Sequence, residues 1–370
     1  MAIRRLSGII VLILGTSVVA QAFHWRVGQP QYLYELGTRP SLWNDTIAFQ
    51  EGNGGPIMYY CGEGCNELFF QEDSCWEPVN TDGSVAWRYT ATSASSNEIY
   101  RWDGQTISNV SNSPGVNDCD LSGAGNGDLI WSQDHTWLVY YDASENSTQA
   151  LGVRGVHPDL YVTDDGVATY AYQDPDTDEV YFFDGAETHY LGAGNVNGAY
   201  PSVWNGAVAW VGTGTVGSYF TKSEIFYWKN GEVTNITDDT SSGVADEYPC
   251  AWNNVVVWAR GVSGVFSPRI FMWDSMETTQ ITTVNAKFPS IHHCRLAYAC
   301  DDGLYYADVY PTGDLDHDRD VDLDDLAELL SNFGTLEGAT YEQGDVDEDG
   351  DVDIEDIAGL LGHYAWGVHP

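Results

Sequence analysis

The sequence predicts an all-β, seven-bladed propeller followed by a small all-α C-terminal domain. Two observations predict it. A strand pattern recurs about every 40 residues through most of the chain, and a unit of alternating aspartates followed by an apolar helix pattern occurs twice near the C terminus. Because 43% of the 370 residues are hydrophobic and only 19% are charged, the chain can bury a large core, and its length predicts two or more domains.

The N terminus has the three-part pattern of a secretory signal peptide over residues 1–22. Arg4 and Arg5 precede an apolar run, and Ala20-Gln21-Ala22 has the small-x-small spacing that signal peptidase accepts. The run is shorter than the roughly 20 residues that span a bilayer. We therefore expect export, removal of this segment, a secreted or cell-surface location and no membrane span afterwards.

Charge and cysteine content narrow the class of protein. The chain carries 14 basic against 55 acidic side chains, which excludes nucleic acids and anionic membrane surfaces, because cationic side chains bind both. The same balance disfavours a lyase for uronate polymers, which must hold a polyanion. The seven cysteines are an odd number, and the close spacing of Cys61, Cys65 and Cys75 predicts a local disulfide rather than a metal site.

Residues 23–309 contain the strand repeat. A β-branched or apolar triplet ends in an aromatic residue at intervals of 38 to 48 residues, and these aromatics are Phe49, Trp87, Trp131, Tyr170, Trp210, Trp258 and Tyr298. Several triplets follow a short strand headed by proline, as in Pro40-Ser41-Leu42-Trp43, and precede a strand that ends in a tight turn such as Asp184-Gly185. Four antiparallel strands in about 40 residues are typical of a propeller blade, and seven such units are visible.

This repeat resembles the TolB and WD40-like β-propellers, in which a proline-containing turn leads into a strand that ends in an aromatic residue. The resemblance covers residues 31–309 and implies a fold without implying an activity. The strand pattern at residues 31–36 precedes the first proline-headed strand and lacks a blade of its own. We expect this N-terminal strand to close the last blade, which would remove an exposed strand edge.

Acidity is concentrated after the linker that we place at residues 310–312. Residues 313–366 contain two twelve-residue loops with aspartate at positions 1, 3, 5, 7, 9 and 12. The predicted metal ligands are Asp314, Asp316, Asp318, Asp320, Asp322 and Asp325 in the first loop, and Asp345, Asp347, Asp349, Asp351, Asp353 and Asp356 in the second. Calcium takes six to eight oxygen ligands, and this spacing supplies them. We predict two calcium ions, both in this domain, and no other cofactor.

An apolar helix pattern follows each loop at i, i+3, i+4 and i+7. Its members are Leu326, Leu329, Leu330 and Phe333 after the first loop, and Ile357, Leu360, Leu361 and Tyr364 after the second. We expect the two helices to bury these faces against each other. The duplicated structure makes a solvated, disordered acidic tail the weaker alternative.

The duplicated loop and helix resemble the dockerin type I family, whose loops lack an entering helix and end in aspartate, as Asp325 and Asp356 do here. The resemblance implies attachment of a secreted protein to a cohesin-like or other surface scaffold in polysaccharide degradation. Two departures stand out. Arg319 occupies loop position 6, where a sharp turn favours glycine, and Leu323-Asp324 and Ile354-Glu355 occupy positions 10 and 11, which contact cohesin in cellulosomal dockerins.

We therefore predict a secreted calcium-binding protein whose dockerin-like tail attaches a propeller recognition module, for glycan or protein, to an extracellular or cell-surface assembly. The alternative is a dockerin-borne glycoside hydrolase for a neutral polysaccharide, with its active site on one face of the propeller. Such a hydrolase needs two carboxylates about 5 to 10 Å apart, and the sequence does not indicate which pair converges. Binding is favoured over catalysis, and no catalytic residue is named.

Overall fold

The computed structural model describes residues 25–62, 64–69, 74–90, 96–193, 200–214, 222–238, 244–262, 265–275 and 277–364. The predicted signal peptide, residues 1–22, lies outside the described residues. The described residues divide into two compact units, one of residues 27–309 and one of residues 310–364 with residues 25–26. Among the described residues, the helices are too short or too polar to cross a membrane.

The larger unit is built from antiparallel β-sheets. Two short strands come first, β1 (Trp25–Val27) and β2 (Gln31–Tyr34). The first four-stranded sheet contains β3 (Gly37–Trp43), β4 (Thr46–Glu51), β5 (Ile57–Tyr60) and β6 (Cys65–Phe69). The second contains β7 (Ser74–Thr81), β8 (Ser84–Thr90), β9 (Asn97–Trp102) and β10 (Ile107–Asn109). In both sheets, strands that are consecutive in the chain are neighbours, as expected when short turns connect them.

Two further four-stranded sheets follow the same order. The third contains β11 (Asp118–Gly123), β12 (Leu129–Gln133), β13 (Trp137–Asp142) and β14 (Ser147–Arg154). The fourth contains β15 (Val156–Val162), β16 (Ala168–Gln173), β17 (Glu179–Phe183) and β18 (Thr188–Ala193).

The next eight strands form one continuous sheet. They are β19 (Ser202–Trp204), β20 (Ala207–Gly214), β21 (Lys222–Lys229), β22 (Glu232–Asn235), β23 (Ala245–Trp252), β24 (Val255–Val262), β25 (Val265–Trp273) and β26 (Thr278–Gln280). A parallel pairing of Ser223 with Ala245 joins β21 to β23, and all other pairings in this sheet are antiparallel.

The last sheet has five strands and unites the two ends of the larger unit. It contains β27 (Ala286–His292), β28 (Arg295–Cys300) and β29 (Gly303–Pro311), with β1 and β2 against β29. Gln31 of β2 pairs with Tyr306 of β29 in antiparallel register. The linker was predicted at residues 310–312. Because β29 ends at Pro311, Tyr310 and Pro311 belong to this strand instead.

The prediction of a seven-bladed propeller is wrong. The described residues form five discrete blades, four of four strands and one of five, and the strands of two sequence repeats merge into the eight-stranded sheet. The sequence period counts repeated strand patterns, whereas the Ser223–Ala245 pairing that joins two repeats is made by backbone groups. Backbone pairing of this kind leaves no side-chain pattern in the sequence.

The aromatic triplets form the second strand of each repeat and are buried on both faces. Val85, Ala86 and Trp87 of β8 each expose 1% or less. Trp87 shares a buried cluster with Ala48 and Ile57 of the preceding sheet. A strand covered on both faces has a continuous apolar sequence rather than an alternating one, which explains the triplets.

The smaller unit contains two ten-residue helices, α1 (Leu323–Asn332) and α2 (Ile354–His363), and a 3-10 turn at Tyr341–Gln343. Each α-helix begins at a capping box supplied by its own loop, Asp322 with Asp325 and Asp353 with Asp356. Both repeats contribute to one core, which contains Leu315, Val321, Leu329, Tyr341, Val346, Val352 and Leu360.

Only part of each predicted apolar helix face is buried. Leu329 and Leu360 are fully buried, but Leu330, Phe333, Leu361 and Tyr364 are 52, 50, 52 and 41% exposed. The expectation that the whole faces pack against each other is therefore wrong. Phe333 and Tyr364 are the C-cap residues, where the backbone has left the helix, so the 3.6-residue period no longer determines their direction.

Substitution of Gly344, the residue before the second loop, tests how tightly this unit is packed. Its φ is 98°, and a Cβ added there would lie 2.8 Å from the Cα of Leu329. We expect Gly344→Ala to lower the free energy of unfolding of the smaller unit by about 2–4 kcal/mol, because it combines positive-φ strain with a clash against helix backbone. Chemical unfolding followed by helical circular dichroism measures this.

Gly334 is the matched control for this prediction. It also has a positive φ, 90°, but an added Cβ would meet no atom within 4 Å. Gly334→Ala should cost only the backbone strain, about 1 kcal/mol. Equal losses for the two variants would show that the contact between Gly344 and Leu329 is not tight.

Candidate functional site

The first aspartate-rich loop brings five of its six predicted ligands together. Carboxylate oxygens of Asp314, Asp316 and Asp325 lie within 4.8 Å of one another. Carboxylate oxygens of Asp320, Asp322 and Asp325 form a second group, also within 4.8 Å of one another. Asp325 belongs to both groups, so the loop converges on its position-12 side chain.

The second loop repeats this arrangement. Asp345, Asp347 and Asp356 form one group, and Asp351, Asp353 and Asp356 form the other. Two loops that are separated in sequence therefore place the same five positions together. This agreement is expected if the aspartate spacing itself determines the loop conformation.

The position-5 aspartates are outside these groups. Asp318 Oδ1 accepts the N–H of Asp320 at 3.2 Å, and Asp349 Oδ1 accepts the N–H of Asp351 at 3.0 Å. Both side chains are exposed, so they can reorient without displacing the core.

The position-12 carboxylates accept hydrogen bonds from N–H groups near both ends of each loop. Asp325 accepts the N–H of Leu315 at 2.6 Å through Oδ1 and that of Asp322 at 2.7 Å through Oδ2. Asp356 makes the equivalent bonds, both at 2.7 Å, with the N–H groups of Val346 and Asp353. Each of these side chains therefore closes its loop and caps the following helix.

Several carboxylates of these loops are buried, among them Asp314 and Asp345. Burial raises the pKa of Asp314 to about 7. The hydrogen bond from the backbone N–H of Arg319 acts to lower this pKa, whereas the negative charge of Asp325 acts to raise it. Asp345 is 4% exposed, and its Oδ1 has no hydrogen-bond partner among the residues that the structure describes. Because buried polar atoms are normally satisfied, this all-oxygen donor set fits a hard divalent cation such as calcium.

The larger unit has a central cavity of about 490 Å3 that the sequence analysis did not identify. The first strands of the repeats line it, namely β3, β7, β11, β15, β19, β23 and β27. The sequence marks these repeats by prolines, several of which lie within the first strands, as Pro40 does in β3. The residues before them, which turn out to line the cavity, were not recognised in the sequence.

These cavity-lining positions share a strained backbone, and we name them the bulge ring. Its members have φ between 40 and 57°, and they are Arg39, Glu77, Asp120, His157, Tyr200, Tyr248 and Phe288. All but Asp120 precede proline, and all but Tyr200 lie within a β-bulge. Proline disfavours this conformation at the residue before it. Strain of this kind concentrates at functional sites.

One arc of the bulge ring is aromatic. The ring centroids of His157 and Tyr200 are 4.6 Å apart, and those of Tyr200 and Tyr248 are 5.9 Å apart. Tyr248 and Phe288 follow at 4.7 Å, and the guanidinium of Arg39 lies 5.1 Å over the Phe288 ring. The cavity therefore presents several aromatic faces beside a cation.

Each acidic member of the bulge ring lies within ion-pair distance of a basic side chain. Asp120 Oδ1 lies 3.2 Å from His157 Nδ1, and Glu77 Oε1 lies 3.3 Å from the guanidinium of Arg88. Burial acts to raise the pKa of Asp120, but the hydrogen bond and charge of His157 outweigh it and hold that pKa well below its usual value. Asp120 is therefore an anion that its neighbours stabilise.

Side chains just beyond the bulge ring join the first strands to one another. Each accepts a backbone N–H of the next first strand: Ser41 from Asn80 at 2.9 Å, Ser122 from Leu160 at 3.2 Å, Asp159 from Val203 at 2.7 Å, Ser202 from Ala251 at 3.0 Å, Cys250 from Ile291 at 3.5 Å, and Ser290 from Leu42 at 3.0 Å. The last of these bonds links the final repeat to the first. The serine of the proline-serine pattern thus has a structural role.

His292 lines the same cavity at the end of β27. Its ring lies 4.1 Å from that of Trp43 and 5.2 Å from that of Trp204, and its Nδ1 accepts the N–H of Asn44 at 2.9 Å. Burial lowers its pKa to about 3. The imidazole is therefore neutral across the physiological pH range.

The predicted local disulfide is not formed. No disulfide joins any of the seven cysteines, all of which lie within the described ranges. Cys61 is exposed at the end of the β5–β6 hairpin, whereas Cys75 is buried in the next sheet. Close sequence spacing therefore did not bring these side chains into bonding geometry.

Comparisons with known proteins support the fold only. No family model and no curated protein matches the chain. The β-propeller domain of the Trilobed protease from Pyrococcus furiosus superposes with a TM-score of 0.56 at 9% identity, over 75% of this chain and 94% of that chain. The structure of YCF48 bound to D1 peptide gives 0.51 at 11% identity, over 76% and 94%.

A third solved structure, uncomplexed Pyrococcus horikoshii acylaminoacyl peptidase, gives a TM-score of 0.50 at 10% identity. The match covers 75% of this chain but only 53% of that peptidase. At such low identities a shared fold does not imply a shared activity. The comparisons therefore establish that the larger unit has a β-propeller fold.

Proposed function

We propose that this chain is a secreted calcium-binding protein whose residues 313–366 form a dockerin-like attachment module and whose propeller recognises a glycan or protein. The observation that carries the proposal is the convergence of carboxylate oxygens in both loops, with the buried Asp345 Oδ1 left unpartnered among the described residues. A calcium ion in each loop would compensate these charges. Side chains at positions 1, 3, 5 and 12 and the carbonyl at position 7 would hold it.

Arg319 makes the two proposed calcium sites unequal. Its φ is 82°, at the position where Gly350 has a φ of 96°. We expect the second loop to bind calcium more tightly, and Arg319→Gly to tighten the first loop about 5- to 10-fold, because it removes positive-φ strain of about 1 kcal/mol and one positive charge. Calorimetry in an Asp345→Ala background isolates the first loop.

The reciprocal variant is the control. Gly350→Ala in an Asp314→Ala background should weaken the second loop by about fivefold, because it introduces positive-φ strain of about 1 kcal/mol without adding a charge. Tighter binding by the native first loop than by the native second loop would contradict the argument.

Exposed apolar side chains of the two helices and their ends support attachment through this module. They occur in matched pairs, Leu323 with Ile354, Leu330 with Leu361, and Phe333 with Tyr364, and their exposed fractions range from 41 to 64%. Large exposed apolar side chains are candidates for contact with a partner. Because Leu323 and Ile354 occupy loop position 10, we propose a cohesin-like or other scaffold partner with an apolar contact surface.

Binding to a panel of cohesin modules, with calcium and with chelator, tests this attachment. Leu323→Asp combined with Ile354→Asp should abolish calcium-dependent capture, whereas Val233→Asp, at an exposed apolar position of the propeller, should not. Capture that survives the double variant would contradict the proposed surface.

The bulge ring supports recognition by the propeller. Aromatic faces of Tyr200 and Tyr248 beside Arg39 suit a ligand with apolar faces and polar edges, such as a sugar. A general acid needs a raised pKa, and that of Asp120 is lowered, so Asp120 does not suit the role of the acid in a hydrolase. Burial raises the pKa of Asp159, but its oxygens are engaged by the Ser122 hydroxyl and the Val203 N–H.

Incubating the protein with soluble neutral polysaccharides separates the two functions. Recognition predicts binding without product, weakened about tenfold or more by Tyr200→Ala and unaffected by Tyr190→Ala, an exposed tyrosine on β18. Release of reducing ends, lost on substitution of one cavity carboxylate, would instead favour the glycoside hydrolase alternative.

A further inference from the structure

Cys119, Asp120 and His135 bring a thiol, a carboxylate and an imidazole to one point of the third sheet. Cys119 Sγ lies 3.2 Å from His135 Nδ1, which lies 3.6 Å from Asp120 Oδ2. All three ligand atoms lie within 4.8 Å of one another. In a tetrahedral zinc site the edge between sulfur and nitrogen ligands is about 3.5 Å, given bonds of about 2.3 and 2.0–2.1 Å. The separation of 3.2 Å between Cys119 Sγ and His135 Nδ1 is close to this value.

Local backbone geometry places these ligands together. Cys119 and Asp120 are consecutive residues of β11, and side chains of consecutive strand residues normally point to opposite faces. A β-bulge begins at Cys119, and the φ of 54° at Asp120 redirects that side chain. His135 lies in the turn between β12 and β13 with a φ of 49°. Two strained residues thus complete the cluster.

Neighbouring groups orient the carboxylate. Ser132 Oγ donates a hydrogen bond to Asp120 Oδ2 at 2.7 Å, and His157 Nδ1 lies 3.2 Å from Asp120 Oδ1. Such outer partners are typical of metal sites, where they hold the ligands in position. Cys119 is fully buried, whereas the side chain of His135 is 60% exposed. The cluster therefore has a fixed inner part and an outer ligand accessible to solvent.

We propose that Cys119, Asp120 and His135 bind one zinc ion, or another divalent transition metal with the same ligand preference. Thiolate and imidazole ligands select such metals, whereas the all-oxygen loops of the smaller unit suit calcium. Three protein ligands leave a tetrahedral ion one position for water or a ligand group. Because Asp120 also belongs to the bulge ring, the ion would lie at the edge of the cavity. This assignment does not depend on the proposed function.

Cobalt titration of the full-length protein in excess calcium tests the proposal, since calcium keeps the aspartate loops occupied. We expect one equivalent of Co2+ to bind with a thiolate-to-cobalt charge-transfer absorption and to be displaced by zinc. Cys119→Ser should remove this absorption, and His135→Asn should weaken zinc binding at least about tenfold. Cys61→Ser, at an exposed cysteine, and His189→Asn, at a histidine paired with Asp184, are the matched controls.

Three outcomes of the cobalt titration would overturn the proposal. They are the absence of a thiolate absorption in the native protein, its persistence in Cys119→Ser, and its loss in Cys61→Ser. His135 lies in a half-exposed turn, so His135→Asn should fold even if Cys119→Ser does not. Unchanged zinc affinity in the folded His135→Asn variant would also reject the site.

Discussion

Chelation of calcium from the full-length protein is expected to abolish most of its helical circular dichroism and to leave its β signal unchanged. Among the described residues, α-helix occurs only in α1 and α2, each ten residues long and capped by its own aspartate loop. Helices this short are marginal without tertiary packing. The buried carboxylates of Asp314 and Asp345 oppose that packing unless a cation compensates their charge.

Far-ultraviolet circular dichroism with calcium and with chelator measures this effect. Combining Asp314→Ala with Asp345→Ala should reproduce the chelated spectrum even in excess calcium. Glu337→Gln, an exposed acidic position between the repeats, should not. Equal helicity in calcium and chelator would show that the unit folds without metal, and the calcium proposal would lose its main physical argument.

Acidification is expected to destabilise the propeller through His292. The folded protein lowers the pKa of this imidazole from 6.5 to about 3, so the unfolded chain binds a proton at a pH where the folded protein does not. The free energy of unfolding should therefore fall as the pH drops from about 6.5 towards 3. Its slope from this group is at most about 1.4 kcal/mol per pH unit, and the total is several kcal/mol. Above about pH 7 the group should contribute no slope.

His292→Asn isolates this contribution. The asparagine oxygen can accept the N–H of Asn44 as Nδ1 does now, but asparagine does not titrate. Urea unfolding should give a constant difference in the free energy of unfolding between the native protein and His292→Asn above pH 7. As the pH falls below that, the native protein should lose stability relative to the variant. Parallel pH profiles for the two proteins would show that His292 is not held neutral.

Short-range patterns predicted the helices of the smaller unit and the clustering of its aspartates. The spacing of its aspartates places each carboxylate on a loop a few residues long, where chain connectivity alone limits the possible positions. The structure accordingly groups Asp314, Asp316 and Asp325, and groups Asp345, Asp347 and Asp356 in the same way. The prediction failed further along each helix. Leu330 and Leu361 are exposed within the helices, and Phe333 and Tyr364 lie where the backbone has already left the helix.

Long-range pairing limited the prediction of the larger unit. The aromatic triplets correctly indicated strands, because a strand buried on both faces needs apolar residues at consecutive positions. The number of separate sheets depends on which backbone edges pair, and the Ser223–Ala245 pairing changed that number. The bulge ring was missed because its residues have no common type and share only a backbone conformation.

The sequence by itself determined the β-repeat character of the larger unit and the identity of the clustered aspartates, since both follow from contacts between residues close in the chain. Tertiary structure alone decided the cavity, the bulge ring and the meeting of Asp120 with His135 and His157. These features depend on β-bulges, which turn individual side chains away from the face that strand alternation predicts. They also depend on closure of the first strands around a centre, which brings residues from distant repeats together.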